Sequence, residues 1–292
     1  MQALWMVLAA FFFASMGVCV KLASAHFNTA EIVLYRGLVG MLLMGAFLRW
    51  RGTAFRSPVP GMHAWRCLVG TLALGAWFYA IGQLPLATAM TLNYMSGVWI
   101  AAFVVGGAVL YGASKVQGPL LATVLAGFVG VVLMLRPTIE QNQVFAGLVG
   151  LLSGIATALA YVQVTALGKA GEPEERTVFY FASGSALAGL LALAFTGTSA
   201  WHWPQALWLL PIGVLATLGQ WCMTRAYSQG STLVVASLQY TGIVFAAFYS
   251  LVIFGDRLSS TAWAGMALIV ASGVAATVLR LRAVPGSPAE DH

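Results

Sequence analysis

Charge is what this chain is short of. Only 8% of its 292 residues are Asp, Glu, Lys or Arg, against about 25% in soluble globular domains, while 60% are hydrophobic and the mean hydropathy is +0.88. That shortage excludes a water-soluble fold and leaves a polytopic membrane protein. Cysteine is sparse as well: Cys19, Cys67 and Cys222 are an odd number at irregular spacing in apolar sequence, which supports neither a disulfide framework nor a metal site. The four histidines, His26, His63, His202 and His292, fall in expected connections or the tail. No span then supplies a base for a nucleophile such as Ser153, Ser183 or Ser185, and none carries a paired-aspartate motif, so a membrane-embedded protease or lipid transferase is disfavoured. No G-x-x-x-x-G-K-[ST] loop exists, which argues against ATP-driven transport by this polypeptide alone. The basic excess of +6 comes without a basic patch interleaved with aromatics, so nucleic acid is not an expected partner, and no cofactor is implied.

What is abundant is long apolar sequence. A helix needs about 20 apolar residues to cross the hydrocarbon core, and ten stretches qualify, near 3–23, 29–48, 65–84, 87–109, 117–135, 146–167, 177–196, 206–226, 231–253 and 260–280. Turn chemistry separates them, as in "RGTAFRSPVPG", "GKAGEPEER" and "GDRLSS". With a cytoplasmic N-terminus, one side collects Arg49, Arg51, Arg56, Arg66, Lys115, Lys169, Arg176, Arg225, Arg280 and Arg282; the other keeps Lys21, Arg136 and Arg257, plus Arg36 inside the second span. The positive-inside rule therefore puts both termini in the cytoplasm of a bacterial inner membrane. "ASA" at 23–25 resembles a signal-peptide cleavage site, but the first segment lacks a basic leader and is too long for a typical apolar core of such a peptide.

The chain also repeats itself. Leu92-Asn93-Tyr94 in "LNYMSGVWIAAF" and Leu238-Gln239-Tyr240 in "LQYTGIVFAAF" are 146 residues apart in a chain of twice that length. Glu31 and Tyr35-Arg36 answer to Glu175 and Phe179-Tyr180, and "LAGFVGVVLMLR" answers to "LIVASGVAATVLR". Each half holds five expected helices. Five is odd, so the second half enters the membrane from the opposite side, the inverted-repeat plan of secondary transporters. A channel or receptor-like sensor has no need of two inverted halves. The fold class read from the sequence is an all-α membrane protein of ten transmembrane helices in two repeats, 1–138 and 144–282, with a cytoplasmic tail at 283–292.

"FFFASMGVCVKLASAHFNTAEIVLYRGLVGMLL" resembles the opening of the EamA type of the drug/metabolite transporter superfamily, and "FGDRLSSTAWAGMALIVASGV" resembles its ninth and tenth helices. The resemblance implies a secondary active carrier rather than an enzyme. Export of amino acids or related metabolites is its leading activity; uptake of a nucleoside-, riboflavin- or adenosylmethionine-like compound is the alternative. The family commonly has a proline in the middle of helices 4 and 9, where this chain has Ser96-Gly97 and Thr241-Gly242.

Polar residues inside apolar spans mark the expected site. Arg36, roughly 10 Å along its helix at 1.5 Å per residue, is expected to gather with Lys21 and Glu31 in an outer vestibule that attracts a carboxylate or couples transport to protons; pinning of helices 1 and 2 is the alternative role for Arg36. Asn93 with Gly97, and Gln239 with Gly242, place an amide and a glycine on one helix face, suited either to a polar solute or to interhelical bonds. Tyr94 and Tyr240 stand beside these amides. Tyr79, Trp99, Tyr161, Gln163, Tyr180 and Trp221 fall inside expected spans and are candidate cavity walls. Small-residue stripes at Ala122, Ala126 and Gly130, and at Ala267, Ala271 and Ala275, are packing surfaces within a monomer or across a homodimer. The partners read from the sequence are a small-molecule substrate and the lipid bilayer, with proton coupling and exchange both open.

Overall fold

The computed structural model describes residues 2–99, 103, 118–140, 143–201, 203–229, 235 and 238–282. Among them all regular structure is helical: α1 (Gln2–Ala23), α2 (Thr29–Arg51), α3 (Pro60–Gln83), α4 (Leu86–Tyr94), α5 (Gly118–Glu140), α6 (Val144–Lys169), α7 (Glu174–Thr196), α8 (Leu209–Gln229), α9 (Thr241–Val252) and α10 (Ser260–Arg282). Helices satisfy every backbone group internally, which a hydrocarbon environment requires. Among the described residues, six stretches, in α1, α2, α3, α6, α7 and residues 205–228, are long and apolar enough to cross a membrane. The expected end of the fourth span at 109, the start of the ninth at 231, Lys115, His202 and the tail at 283–292 lie outside the described residues.

Local chemistry sets the helix ends. Asn28 accepts from the Glu31 amide while the Glu31 carboxylate accepts from the Asn28 amide, a capping box that starts α2. Gly52, at φ 68°, closes it in the left-handed region. Pro60 occupies the first turn of α3, where its missing N–H is no loss. α3 therefore begins five residues before the expected 65, and this corrects two placements. Arg66 is not a residue of the cytoplasmic connection but is buried inside the bundle, and His63 stands buried in the first turn of a helix.

The fourth and ninth spans are each interrupted at their repeated triads. α4 ends at Tyr94, Met95 is a turn, and helical residues resume at 96–99; Gln239 and Tyr240 form a turn from which α9 starts. No proline is needed. Glycine next to each break admits a tyrosine from the other: a Cβ on Gly242 would lie 2.3 Å from Tyr94 Cε2, and one on Gly97 2.5 Å from the Tyr240 hydroxyl.

Packing is largely between the two halves. α2 lies on α7, α1 on α8, α3 on α6 and α5 on α10, with α4 touching both α6 and α9. At the α2–α7 crossing the backbones come together over Gly37 and Gly189. Gly130 packs α5 against the Gly265 carbonyl and Ile269 of α10, as its place in a small-residue stripe predicts, whereas Ala267 and Ala271 line an open apolar groove of about 560 Å³ between α9 and α10.

Connections gather at two ends. At one, the α2–α3 loop meets the α6–α7 loop through Ser57 to Glu172 (2.7 Å) and the first turn of α7 through Thr53 to Glu175 (3.3 Å). At the other, Asn28 donates to the Gly197 carbonyl (2.9 Å), the Ser199 amide donates to Glu31 (2.8 Å), and Lys21 Nζ reaches the Leu84 carbonyl (2.6 Å). The outer face carries Leu42, Leu68, Leu72, Leu187 and Leu191, all exposed, while Thr91, Asn93, Ser153, Ser185 and Gln239 are buried. Water would not tolerate so wide an apolar surface; lipid tails do.

Candidate functional site

Where α3, α4, α6 and α7 converge there is a central cavity of about 40 Å³. Aromatic side chains form its walls: Phe13, Trp77, Tyr94, Tyr161 and Phe181. Arg66, Asn93, Thr157 and Gln220 are its polar lining. Small residues, Gly70, Ala73 and Ala160, leave the space that these groups enclose.

Asn93 is fixed by the break at the end of α4. Its Nδ2 donates to Ser153 Oγ (3.1 Å) and Thr157 Oγ1 (2.9 Å), binding the first half to α6 of the second. Gln239, at the other break, donates from Nε2 to Ser96 Oγ (3.2 Å) and accepts from the Tyr227 hydroxyl (3.3 Å). Tyr227 in turn stacks on Tyr161, centroids 5.2 Å apart, so a polar and aromatic chain runs from the cavity wall to the second break. The two amides are held by hydroxyls and do not bond each other.

The expected vestibule around Arg36 is not assembled. Arg36 is buried, donates to Ser185 Oγ (3.3 Å), and lies 4.9 Å from the centroid of the Phe181 ring, facing α7 across the α2–α7 crossing. Glu31 is occupied by the α2 cap and the Ser199 amide, and Lys21 ties α1 to the α3–α4 connection while lying 5.2 Å from the Phe254 ring centroid. The reason is directional: Glu31 turns back to cap its own helix, whereas Arg36, more than a turn further on, points at the neighbouring helix.

Other expected wall residues lie outside this cavity. Tyr79 packs edge-on against Phe145, Trp99 against Phe128, and Trp221 against Trp5 and Phe47. Gln163 makes a long 3.5 Å contact to the Met62 carbonyl. Tyr180 stacks on His63 (4.4 Å between centroids) and donates to the Phe55 carbonyl (3.0 Å), at the end where the α2–α3 and α6–α7 loops meet. Tyr240 is buried at the second break, against Gly97 and Gly273. Tyr161 is the expected wall residue that does line the cavity, whereas Phe13, Arg66, Trp77, Thr157, Phe181 and Gln220 are lining residues that the sequence reading did not select. For Arg66 a signal existed, since Pro60 is a helix-start residue and moves Arg66 well inside the span.

These features define a polytopic helical protein with a small aromatic-walled cavity beside an interrupted helix, the class to which secondary carriers belong. A model of the EamA-like transporter family matches residues 1–136 and again 144–278, and the chain belongs to that family. It is 35% identical over 274 residues to the pseudopaline exporter CntI of Pseudomonas aeruginosa, covering 92% of this chain and 93% of that protein. It is 30% identical over 278 residues to an uncharacterized transporter of Helicobacter pylori (92% and 91% covered) and 27% identical over 275 residues to a riboflavin transporter of Rhizobium johnstonii (93% and 89%). A crystal structure at 18% identity shares the fold, with a TM-score of 0.68 over 96% of this chain and 98% of the other. The protein is a multi-pass membrane transporter of small metabolites and not an enzyme.

Proposed function

We propose that the chain is a secondary carrier of ten transmembrane helices, arranged as two inverted five-helix repeats (1–138 and 144–282), that exports a small polar or amphipathic metabolite across the bacterial inner membrane by alternating access. The observation that carries the reading is the reciprocal pairing at the two breaks, Tyr94 over Gly242 and Tyr240 over Gly97. Exchanging the halves also exchanges α1 on α8 with α3 on α6. The loop contacts support inversion: α6 ends where α2 ends, opposite the end of α1. Export is favoured by the relative named as an exporter at 35% identity; the riboflavin transporter at 27% favours uptake as the second reading.

A cavity of about 40 Å³ has room for a few waters, whereas metabolite pockets occupy roughly 300–1,000 Å³. Loading therefore requires the halves to move apart at one end while the other stays latched. Asn93, Tyr94, Gln239 and Tyr240 line the moving junction, and Asn93→Ala should depress flux in proteoliposomes while leaving a monodisperse protein.

Alternating access itself is tested by locking either end. In a background without the three native cysteines, Thr53→Cys with Glu175→Cys, or Asn28→Cys with Ser199→Cys, is joined by a short cleavable thiol cross-linker. Each lock should stop transport and each should be reversed by reduction. Undiminished flux with either end locked would remove the mechanism.

A further inference from the structure

Arg66 reaches the cavity with its guanidinium folded along its own helix over Gly70, where a Cβ would lie 1.7 Å from Nη1. The residue is 3% exposed, and its Nε and Nη1 have no hydrogen-bond partner. Nη2 has a long 3.4 Å contact to Gln220 Oε1. Trp77 Nε1 and the Tyr94 hydroxyl, which line the same cavity, are also buried without partners. No lining residue is an aspartate or glutamate. A second guanidinium, Arg36, lies against the same Phe181 ring, at 4.9 Å from its centroid against 4.0 Å for Arg66.

The Phe181 face offsets only part of what this arrangement costs the folded chain. Guanidinium does not shed its proton in proteins, burying it without a counter-charge is strongly unfavourable, and a second like charge nearby adds repulsion. The cluster becomes favourable when an anion enters. Such an anion would accept from Arg66, Trp77 and Tyr94 in a low-dielectric space where charge-assisted bonds are strongest. Phe13, Tyr161 and Phe181 offer flat apolar surface for the rest of the solute. An ammonium group would find no carboxylate among the lining residues, which disfavours cations and gives a zwitterion half a site.

We propose that the transported solute is a net-anionic organic acid whose carboxylate or phosphate is held by Arg66, with the Trp77 and Tyr94 donors completing the site and Arg36 adding attraction. This rests on reading the cavity as the substrate site of a carrier.

Four small probes separate charge from shape: indole-3-acetate, its neutral amide indole-3-acetamide, the cation tryptamine, and phenyl phosphate. Purified protein is melted with each, and proteoliposomes are tested for flux of each. One or both anions should raise the melting temperature and be carried, with the two anions telling carboxylate from phosphate, while amide and cation do neither. Arg66→Met should melt at or above the temperature of the ligand-free parent, because an uncompensated charge is gone, and should lose about tenfold or more in apparent affinity for the anion. Gly70→Ala, which displaces the guanidinium without removing it, should weaken the same response and covers the case in which Arg66→Met does not fold. An amide or cation carried as well as the anion, or an anion response untouched in both variants, overturns the proposal and leaves the carrier reading standing. A parent that carries none of the four and no member of a wider metabolite panel overturns the carrier reading itself, and the proposal with it.

Discussion

Gly37→Val should leave little folded protein to purify, whereas Gly75→Val should behave like the parent. Both glycines are in apolar helices, so composition does not separate them; the neighbours do. A Cβ on Gly37 would lie 2.4 Å from the Ala186 amide nitrogen and 2.8 Å from the Ala182 carbonyl, both backbone atoms of α7. The contact is mirrored from the other side, since a Cβ on Gly189 would meet the Leu34 amide at 2.6 Å. Around Gly75 nothing lies within 4 Å. Overpacking that flexible side chains can absorb costs about 1–3 kcal/mol, and two rigid helix backbones have no such outlet, so the cost at Gly37 should sit at or above the top of that range. Between helices in lipid, close packing is the main source of association and cannot be replaced by a hydrophobic gain elsewhere. Size-exclusion profiles and melting curves of detergent extracts decide it. A monodisperse Gly37→Val protein with the parent's melting temperature would show that α2 and α7 do not approach this closely.

Glu172→Ala should loosen one end of the carrier. Glu172 is buried in the α6–α7 loop, where its carboxylate accepts from Ser57 Oγ, faces His63 Nε2 at 3.2 Å and pairs with Arg176 Nε at 2.9 Å. Arg176 Nη1 also donates to the Ala54 and Arg56 carbonyls, so one carboxylate organises the junction between the α2–α3 and α6–α7 loops. Removing one member of a fully buried ion pair costs roughly 3–5 kcal/mol; Arg176 is partly exposed and keeps the Ala54 and Arg56 carbonyls, so the cost here should fall below that range. Glu172→Gln keeps the shape and should cost less. The consequence for function is a shift of population toward the form open at this end. Cys67 reports it: its Sγ donates to the Tyr180 carbonyl one turn into α3 from His63. With Cys19 and Cys222 replaced, labelling of Cys67 by a charged maleimide should be faster in Glu172→Ala than in the parent. Unchanged labelling at a lowered melting temperature would make the cluster a structural clasp without a gating role.

The sequence alone determined the class of the protein. Scarcity of charge and ten apolar stretches dictate helices in lipid, because no other open structure satisfies the backbone there. The paired triads, Leu92-Asn93-Tyr94 and Leu238-Gln239-Tyr240, were legible as a repeat because repetition is a property of the string. Tertiary structure decided what those triads do. That the helices break at them without proline, and that each tyrosine fills the space beside the other break's glycine, depends on two segments 146 residues apart meeting face to face. Charges were the least legible. Arg36 and Glu31 are neighbours in sequence, yet one points across a helix crossing and the other caps its own helix. Arg66 looked like a loop residue until the start of α3 at Pro60 carried it into the interior. A string fixes how many charges must be buried or exposed, but the direction each side chain takes from its helix, and so which charges share a cavity, is set only when the helices pack.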